Sequence, residues 1–309
     1  MMNKRSYFIK CFIFLLSIIF IDYIIGKGLN YIYFRQSQGK LYNLTYTIEQ
    51  QTADILIMGS SRAMHQYNPD IITDSLGLSC FNAGYDGQSI LYHMALFDVI
   101  TKRYNPKIII LDVNTNELNE NKESYDLLAT LNPYVNKYPV LWEILSLKSP
   151  FERIKHYSKI YPYNSLFARI VIGNFHFKTR DVSVNGFTAQ YNTWNEPIEE
   201  ITYSKELLDK NKMNLFNRFL FETKKRGITV YVVLSPIFGV ATNNSPSIDY
   251  IIDECKRNNV IFISYQNNEN FYDKKLFNDP GHLNYLGADY FSSDISYLLW
   301  NYLSSSAGN

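Results

Sequence analysis

The stretch Asp54-Ile55-Leu56-Ile57-Met58-Gly59-Ser60-Ser61-Arg62 decides how the chain reads. Ile55 to Met58 form a short apolar run without polar alternation, the pattern of a strand buried on both faces. The run ends in Gly and small hydroxyl residues, which is how a parallel strand hands over to a tight turn and a helix. In an open α/β sheet, ligands bind outside the carboxyl ends of the strands, so Ser61 is displayed where chemistry can be done. Gly-Ser-Ser alone equally fits an ordinary helix cap. Its meaning depends on whether the chain also supplies a base, an orienting carboxylate and oxyanion donors.

Outward from this turn the strand–helix rhythm continues. Asn68-Pro69-Asp70 suits the start of a helix through Leu76. Residues 79–82 read as a short strand ending in Ala83-Gly84-Tyr85-Asp86-Gly87, and 88–103 as an amphipathic helix. Lys107–Val113 is the clearest strand and runs into Asn114-Thr115-Asn116. After an interruption, a helix is expected over 204–226 with Gly227 closing it, a strand over 228–234 ending at Ser235, a helix over 247–258, a strand over 260–264 and a long helix over 283–303. Five alternations predict an α/β fold, a flavodoxin-like three-layer sandwich around a five-stranded parallel sheet. Right-handed crossovers place all the strand carboxyl ends on one edge. The turns at Gly59, Gly84, Asn114 and Ser235 therefore converge.

Residues 118–200, rich in Tyr, Asn and Pro, break the rhythm and read as an inserted aromatic-rich cap with helical pieces near 140–147 and 164–172. The N-terminus is different again. Lys4 and Arg5 precede an apolar stretch from Tyr7 to Ile25, long enough to cross a bilayer if Lys10 and Asp22 snorkel to its two surfaces. The flanking positive charge puts the N-terminus in the cytoplasm and the remainder outside. After Ile25 there is only Gly26-Lys27-Gly28 and no Ala-x-Ala-like cleavage site, which favours an uncleaved single-pass anchor over a signal peptide. The expected organisation is an anchor at 1–26, a juxtamembrane stalk at 27–50, one α/β domain from 51–117 and 201–303 that carries the serine turn, the insertion at 118–200, and a frayed tail at 304–309.

The 309 residues carry a formal charge of +1, so nothing draws the chain towards nucleic acid. Apolar residues make up 46%, ample for a core. The three cysteines, Cys11, Cys80 and Cys255, form neither a disulfide framework nor a metal site, and the ligand-type residues show no zinc or calcium spacing. No metal or cofactor is expected. Of five histidines, His93 sits in an apolar-spaced helix, His156 and His176 in the insertion, and His65 on the outgoing turn after Ser61. His282 lies in Asp279-Pro280-Gly281-His282, a tight loop in which the carboxylate can accept from Nδ1–H and leave Nε2 free for the serine proton.

Taken in order, these turns resemble the motif blocks of the SGNH, or GDSL, hydrolases. Gly59-Ser60-Ser61 resembles Gly-Asp-Ser, with Ser60 in place of Asp. Asn82 to Gly87 is similar to the block whose last Gly lends an N–H, and Asp112-Val113-Asn114 to Gly-x-Asn, with Asp112 in place of Gly. Asp279-Pro280-Gly281-His282 resembles Asp-x-x-His. The resemblance covers 52–118 and 205–303, not the insertion. It implies Ser61 as nucleophile, His282 as base and then acid, Asp279 as its orienter, and an oxyanion hole from the N–H groups of Ser61 and Gly87 and the Asn114 amide. Arg62, Asp86 and Asn116 are candidates for substrate binding, with His65 nearby; Trp142, Tyr191 and Trp194 are candidate sugar platforms.

An anchored domain of this kind is similar in layout to the D-alanyl-transfer protein of teichoic acid pathways and to alginate O-acetylation proteins. It implies an extracytoplasmic serine esterase or O-acyltransferase acting on acylated polysaccharide or another envelope ester, together with a membrane acyl-transfer partner. The departures at Ser60 and Asp112 leave a second reading, a catalytically silent glycan-binding or envelope-assembly protein of the same fold. A lipase-like enzyme is a third.

Overall fold

The computed structural model describes residues 4–174 and 183–307. Ser183 to Ala307 therefore includes most of the expected tail, while 308–309 and His176 lie outside the described residues. The chain divides into two compact units, one from Met1–Thr45 and Tyr125–Lys178, the other from Tyr46–Ser124 and Thr179–Asn309.

The second unit is built on five parallel strands: β1 (Ile55–Met58), β2 (Cys80–Asn82), β3 (Ile108–Asp112), β4 (Thr229–Leu234) and β5 (Ile261–Ser264). Their spatial order is β2-β1-β3-β4-β5, the flavodoxin-like order expected, with its reversal of winding between β1 and β3. Register follows the apolar runs: Leu56 pairs with Phe81 on one side and Ile109 on the other, and Ile110 with Tyr231. Residues of β1 and β3 are buried along their whole length. That is why they read as unbroken apolar stretches and not as alternating ones.

Helices cover both faces. Ile55, Ile57, Ile108, Ile110, Tyr231 and Val233 share a core with α3 (Ser61–Gln66), α4 (Pro69–Leu76) and a long C-terminal helix, through Tyr67, Ile72, Phe291 and Ile295. The opposite face carries α5 (Ile90–Ile100) and a 16-residue helix, Lys210–Lys225, whose Phe219 meets Phe97 edge-on at 5.3 Å. Each such fully buried side chain contributes roughly 1.5–3 kcal/mol.

The caps are those the sequence spells. Asn68 accepts from the N–H of Asp70, Pro69 occupies the first turn of α4, and Gly77 ends it at φ +66°. The helix expected from Ser204 begins instead at Lys210, because Leu207 and Asp209 pair with Glu120 and Leu118 through backbone bonds of 2.9 and 2.8 Å. Asp209 then caps it by accepting from Asn211 and Lys212. The C-terminal helix runs Tyr285–Ala307 and not from Leu283, since His282–Leu283 forms an antiparallel hairpin with Phe277–Asp279.

The first unit is organised by α1 (Lys4–Phe34), an N-terminal helix with mean hydropathy 2.4 over its most apolar window; α2 (Gly39–Glu49) follows it in the chain. Among the described residues it is the one helix long and apolar enough to cross a membrane. Its C-terminal third binds part of the insertion. Tyr33 donates to the Tyr134 hydroxyl at 3.1 Å, and Asn30 to the Tyr163 hydroxyl at 2.7 Å. Asp22, expected at one bilayer surface, accepts from the Ser158 hydroxyl and the Lys159 N–H, both at 2.6 Å. Gly26 lets that loop close on α1: a Cβ there would lie 2.3 Å from Lys159 Cβ.

Candidate active site

Ser61 occupies the first turn of α3, directly after β1. Gly59 makes this turn with φ +153°, where a side chain would be strained, and a Cβ would come within 2.8 Å of the Asp112 carbonyl. Gly84, after β2, approaches as closely: a Cβ would stand 2.5 Å from the Met64 nitrogen, and Tyr85 N–H donates to the Gly59 carbonyl at 3.0 Å. The turns after β1 and β2 are thereby locked against each other beside the reversal of winding.

The Phe277–Asp279/His282–Leu283 hairpin brings the second half of the site. Its buried Phe277 and Leu283 fix it to the core. His282 Nε2 lies 2.8 Å from Ser61 Oγ, and Nδ1 lies 2.8 and 3.1 Å from the two oxygens of Asp279. Asp279 also accepts from Gly281 N–H and the Asn278 amide, at 2.9 and 3.0 Å. Burial pushes its carboxyl up, but the bonds and charge of His282 and the other two donors outweigh that and hold it below the ordinary carboxylate value. An ionised Asp279 keeps the proton on Nδ1 and the lone pair on Nε2. The arrangement can therefore draw the proton from Ser61 Oγ.

Ser61 and His282 open onto a cleft of about 360 Å³, also lined by Gly87, Asn114, Asn116, Glu117, Lys212 and Ile237. Gly87 has φ +72°, the left-handed region that favours glycine. Asn114 is held by its own turn: Asn116 N–H donates to its Oδ1 at 3.0 Å, and its Nδ2 donates to Glu117 Oε2 at 2.5 Å.

The other expected contacts are distributed differently. Arg62 lines the cleft but is buried, donating to the Val113 carbonyl at 2.5 Å with Nε 3.8 Å from Asp112. Asp112 in turn accepts from the Tyr67 hydroxyl at 2.7 Å, so the residue that departs from Gly-x-Asn serves as counter-charge under the site. Asp86 does not line this cleft; its Oδ1 lies 3.2 Å from His65 Nε2, while His65 Nδ1 faces the Thr188 carbonyl at 2.7 Å. His93 is a core residue whose pKa burial pushes down to about 3. Trp142 is covered by His156 and Arg153, and Trp194 packs on the core. Tyr191 stays exposed, tilted against Tyr285 at 5.4 Å.

Two residues were missed. Glu117 is buried, and its Oε1 accepts from Ile90 N–H at 2.6 Å, capping α5 where Ser89 makes no side-chain cap. Burial pushes its pKa up to about 7, against the pull of Lys212 and the two backbone donors. Lys212 Nζ donates to the Asn119 carbonyl at 2.7 Å, and burial pushes its pKa down. A signal for Lys212 was present: with Leu215, Phe216 and Phe219 it falls on the core stripe of its helix.

No family model and no curated protein matches the sequence. Among solved structures, the chain is similar to one from Desulfitobacterium hafniense DCB-2, provisionally described as a lipolytic protein of the G-D-S-L family. The match has 11% identity and a TM-score of 0.36, covering 79% of this chain and 97% of that one.

Proposed function

We propose that the protein is a serine esterase or O-acyltransferase of the SGNH type. The observation that carries this is the continuous chain of contacts from Asp279 through His282 to Ser61, 2.8 Å at each link. Ser61 Oγ attacks the acyl carbon as His282 Nε2 takes its proton. The oxyanion is met by the Ser61 and Gly87 N–H groups and the Asn114 amide; one such donor is typically worth about 3–4 kcal/mol. The tetrahedral species collapses as imidazolium returns the proton to the departing alcohol, leaving acyl-serine. Water or a sugar hydroxyl, deprotonated by the same nitrogen, then attacks and frees Ser61.

The cleft lining supports a short acyl group on a polar carrier. Among the described residues, and apart from glycines, Ile237 is its one apolar member, against serines, asparagines, Glu117, Lys212 and Arg62. A lipase trough would need a continuous apolar wall. With α1 read as a membrane span and Lys4 and Arg5 on the cytoplasmic side, the substrate is an extracytoplasmic ester, an acylated envelope polysaccharide or similar polymer, with a membrane acyl-transfer partner as donor or acceptor.

A fluorophosphonate probe tests the nucleophile. The wild type is expected to be labelled and Ser61→Ala not; equal labelling of both removes Ser61 from the role. With model esters, acetate is expected to be released far faster than a long-chain acid.

A further inference from the structure

The first unit carries apolar side chains that nothing among the described residues covers. Phe151, Ile154 and Tyr157 are 61%, 61% and 83% exposed. Spaced three apart around the single helical turn Glu152–Lys155, they share its outer side. The inner side is fixed by Glu152, buried, which accepts from the Tyr161 hydroxyl at 2.6 Å and from Lys155 at 2.7 Å. The turn is therefore held with its apolar side outward, at the cost of leaving three large side chains in contact with solvent.

Its position along α1 says what covers them. Directly after Tyr157, Ser158 and Lys159 bond to Asp22, and Lys159 packs on Gly26. Asp22 stands three residues, about 4.5 Å, before the end of the apolar run at Ile25. That run from Tyr7 is about 28 Å long, close to the thickness of a bilayer core. The loop that clamps α1 thus sits where hydrocarbon gives way to headgroups. The charge fits as well. Residues 147–160 contain Lys148, Arg153, Lys155 and Lys159 against a single acid, Glu152. Aromatic and aliphatic side chains among basic ones are the composition of an interfacial membrane contact.

We propose that Phe151, Ile154 and Tyr157 form a second membrane-contact surface, lying in the headgroup layer beside α1, with Arg153 and Lys159 facing anionic lipid. This rests on the reading of α1 as a span and is independent of the esterase reading. The contact would fix the insertion against the bilayer and hold α1 at one depth.

Site-directed spin labelling of the full chain tests it in nanodiscs of phosphatidylcholine and phosphatidylglycerol. Cys11→Ser removes the exposed thiol, and Cys80 and Cys255 are buried. Single labels go at Ile154→Cys, Tyr157→Cys, Phe14→Cys within the span, and Phe221→Cys, exposed on the Lys210–Lys225 helix. Power saturation then compares access of oxygen with access of a water-soluble nickel chelate. Labels at 154 and 157 are expected to favour oxygen severalfold over the label at 221, and to stop short of the value at 14. Values at 154 and 157 equal to that at 221, with 14 in lipid, overturn the surface while leaving the span intact. A water-like value at 14 overturns the span reading and the proposal with it. Dipolar broadening between labels at 154 overturns the proposal in favour of contact between two copies of the chain.

Discussion

Replacing Glu117 by Gln probes how the cleft holds Asn114. The wild-type carboxyl accepts from Ile90 N–H and from the Asn114 amide, inside a site that burial makes hostile to charge. Its pKa rises from the usual 4.5 to about 7, which corresponds to about 3 kcal/mol. Below the unfolded value both states are protonated and no penalty exists. As pH rises the unfolded chain ionises first, so folding loses stability until the folded group has ionised too. Glutamine keeps the shape and one acceptor but never titrates. The gap between wild type and Glu117→Gln is therefore expected to move by about 3 kcal/mol against the wild type between pH 4.5 and pH 8. For a unit of this size that is about 6–12 °C in melting temperature. Parallel melts in detergent across that range measure it. A gap that does not move with pH, or moves the other way, refutes the burial argument and makes Glu117 a carboxylate held charged by Lys212 and the α5 terminus.

Asp279→Asn leaves the hairpin shape intact but can donate to Nδ1, stabilising the tautomer that cannot accept the Ser61 proton. kcat on a model acetyl ester is expected to fall by about 10³–10⁴ with little change in KM. Asp112→Ala removes the counter-charge of buried Arg62 and the acceptor of Tyr67, at a cost of about 3–5 kcal/mol. Chemical denaturation is the readout, and Arg62→Met in the same chain should recover part of the loss.

The sheet was legible because its central strands are buried on both faces. Ile55–Met58 and Ile108–Leu111 therefore stand out as apolar runs with a turn after each strand. The proximity of Asp279 and His282 was legible because it is local, three residues within a hairpin. What escaped depends on long-range neighbours. Glu117 faces a helix terminus 27 residues earlier in the chain, and Asp22 meets Ser158 across 136 residues. Neither relation leaves a trace in spacing. Asp86 stood beside the right glycine, but its carboxylate turns to His65 instead of the cleft. The helix start at Lys210 was misplaced because pairing with residues 118–120 competes with helix propensity over 206–209.

The hairpin carrying Asp279 and His282 has a mechanical corollary. The two residues are cross-strand partners on one small ribbon, whereas Ser61 is supplied from the far side of the chain, 221 positions away. Imidazole and carboxylate therefore travel as a single cassette. A slide of that cassette by an ångström or two would idle the serine while leaving the proton relay assembled, and returning it to work would take a translation, with no part needing to be rebuilt.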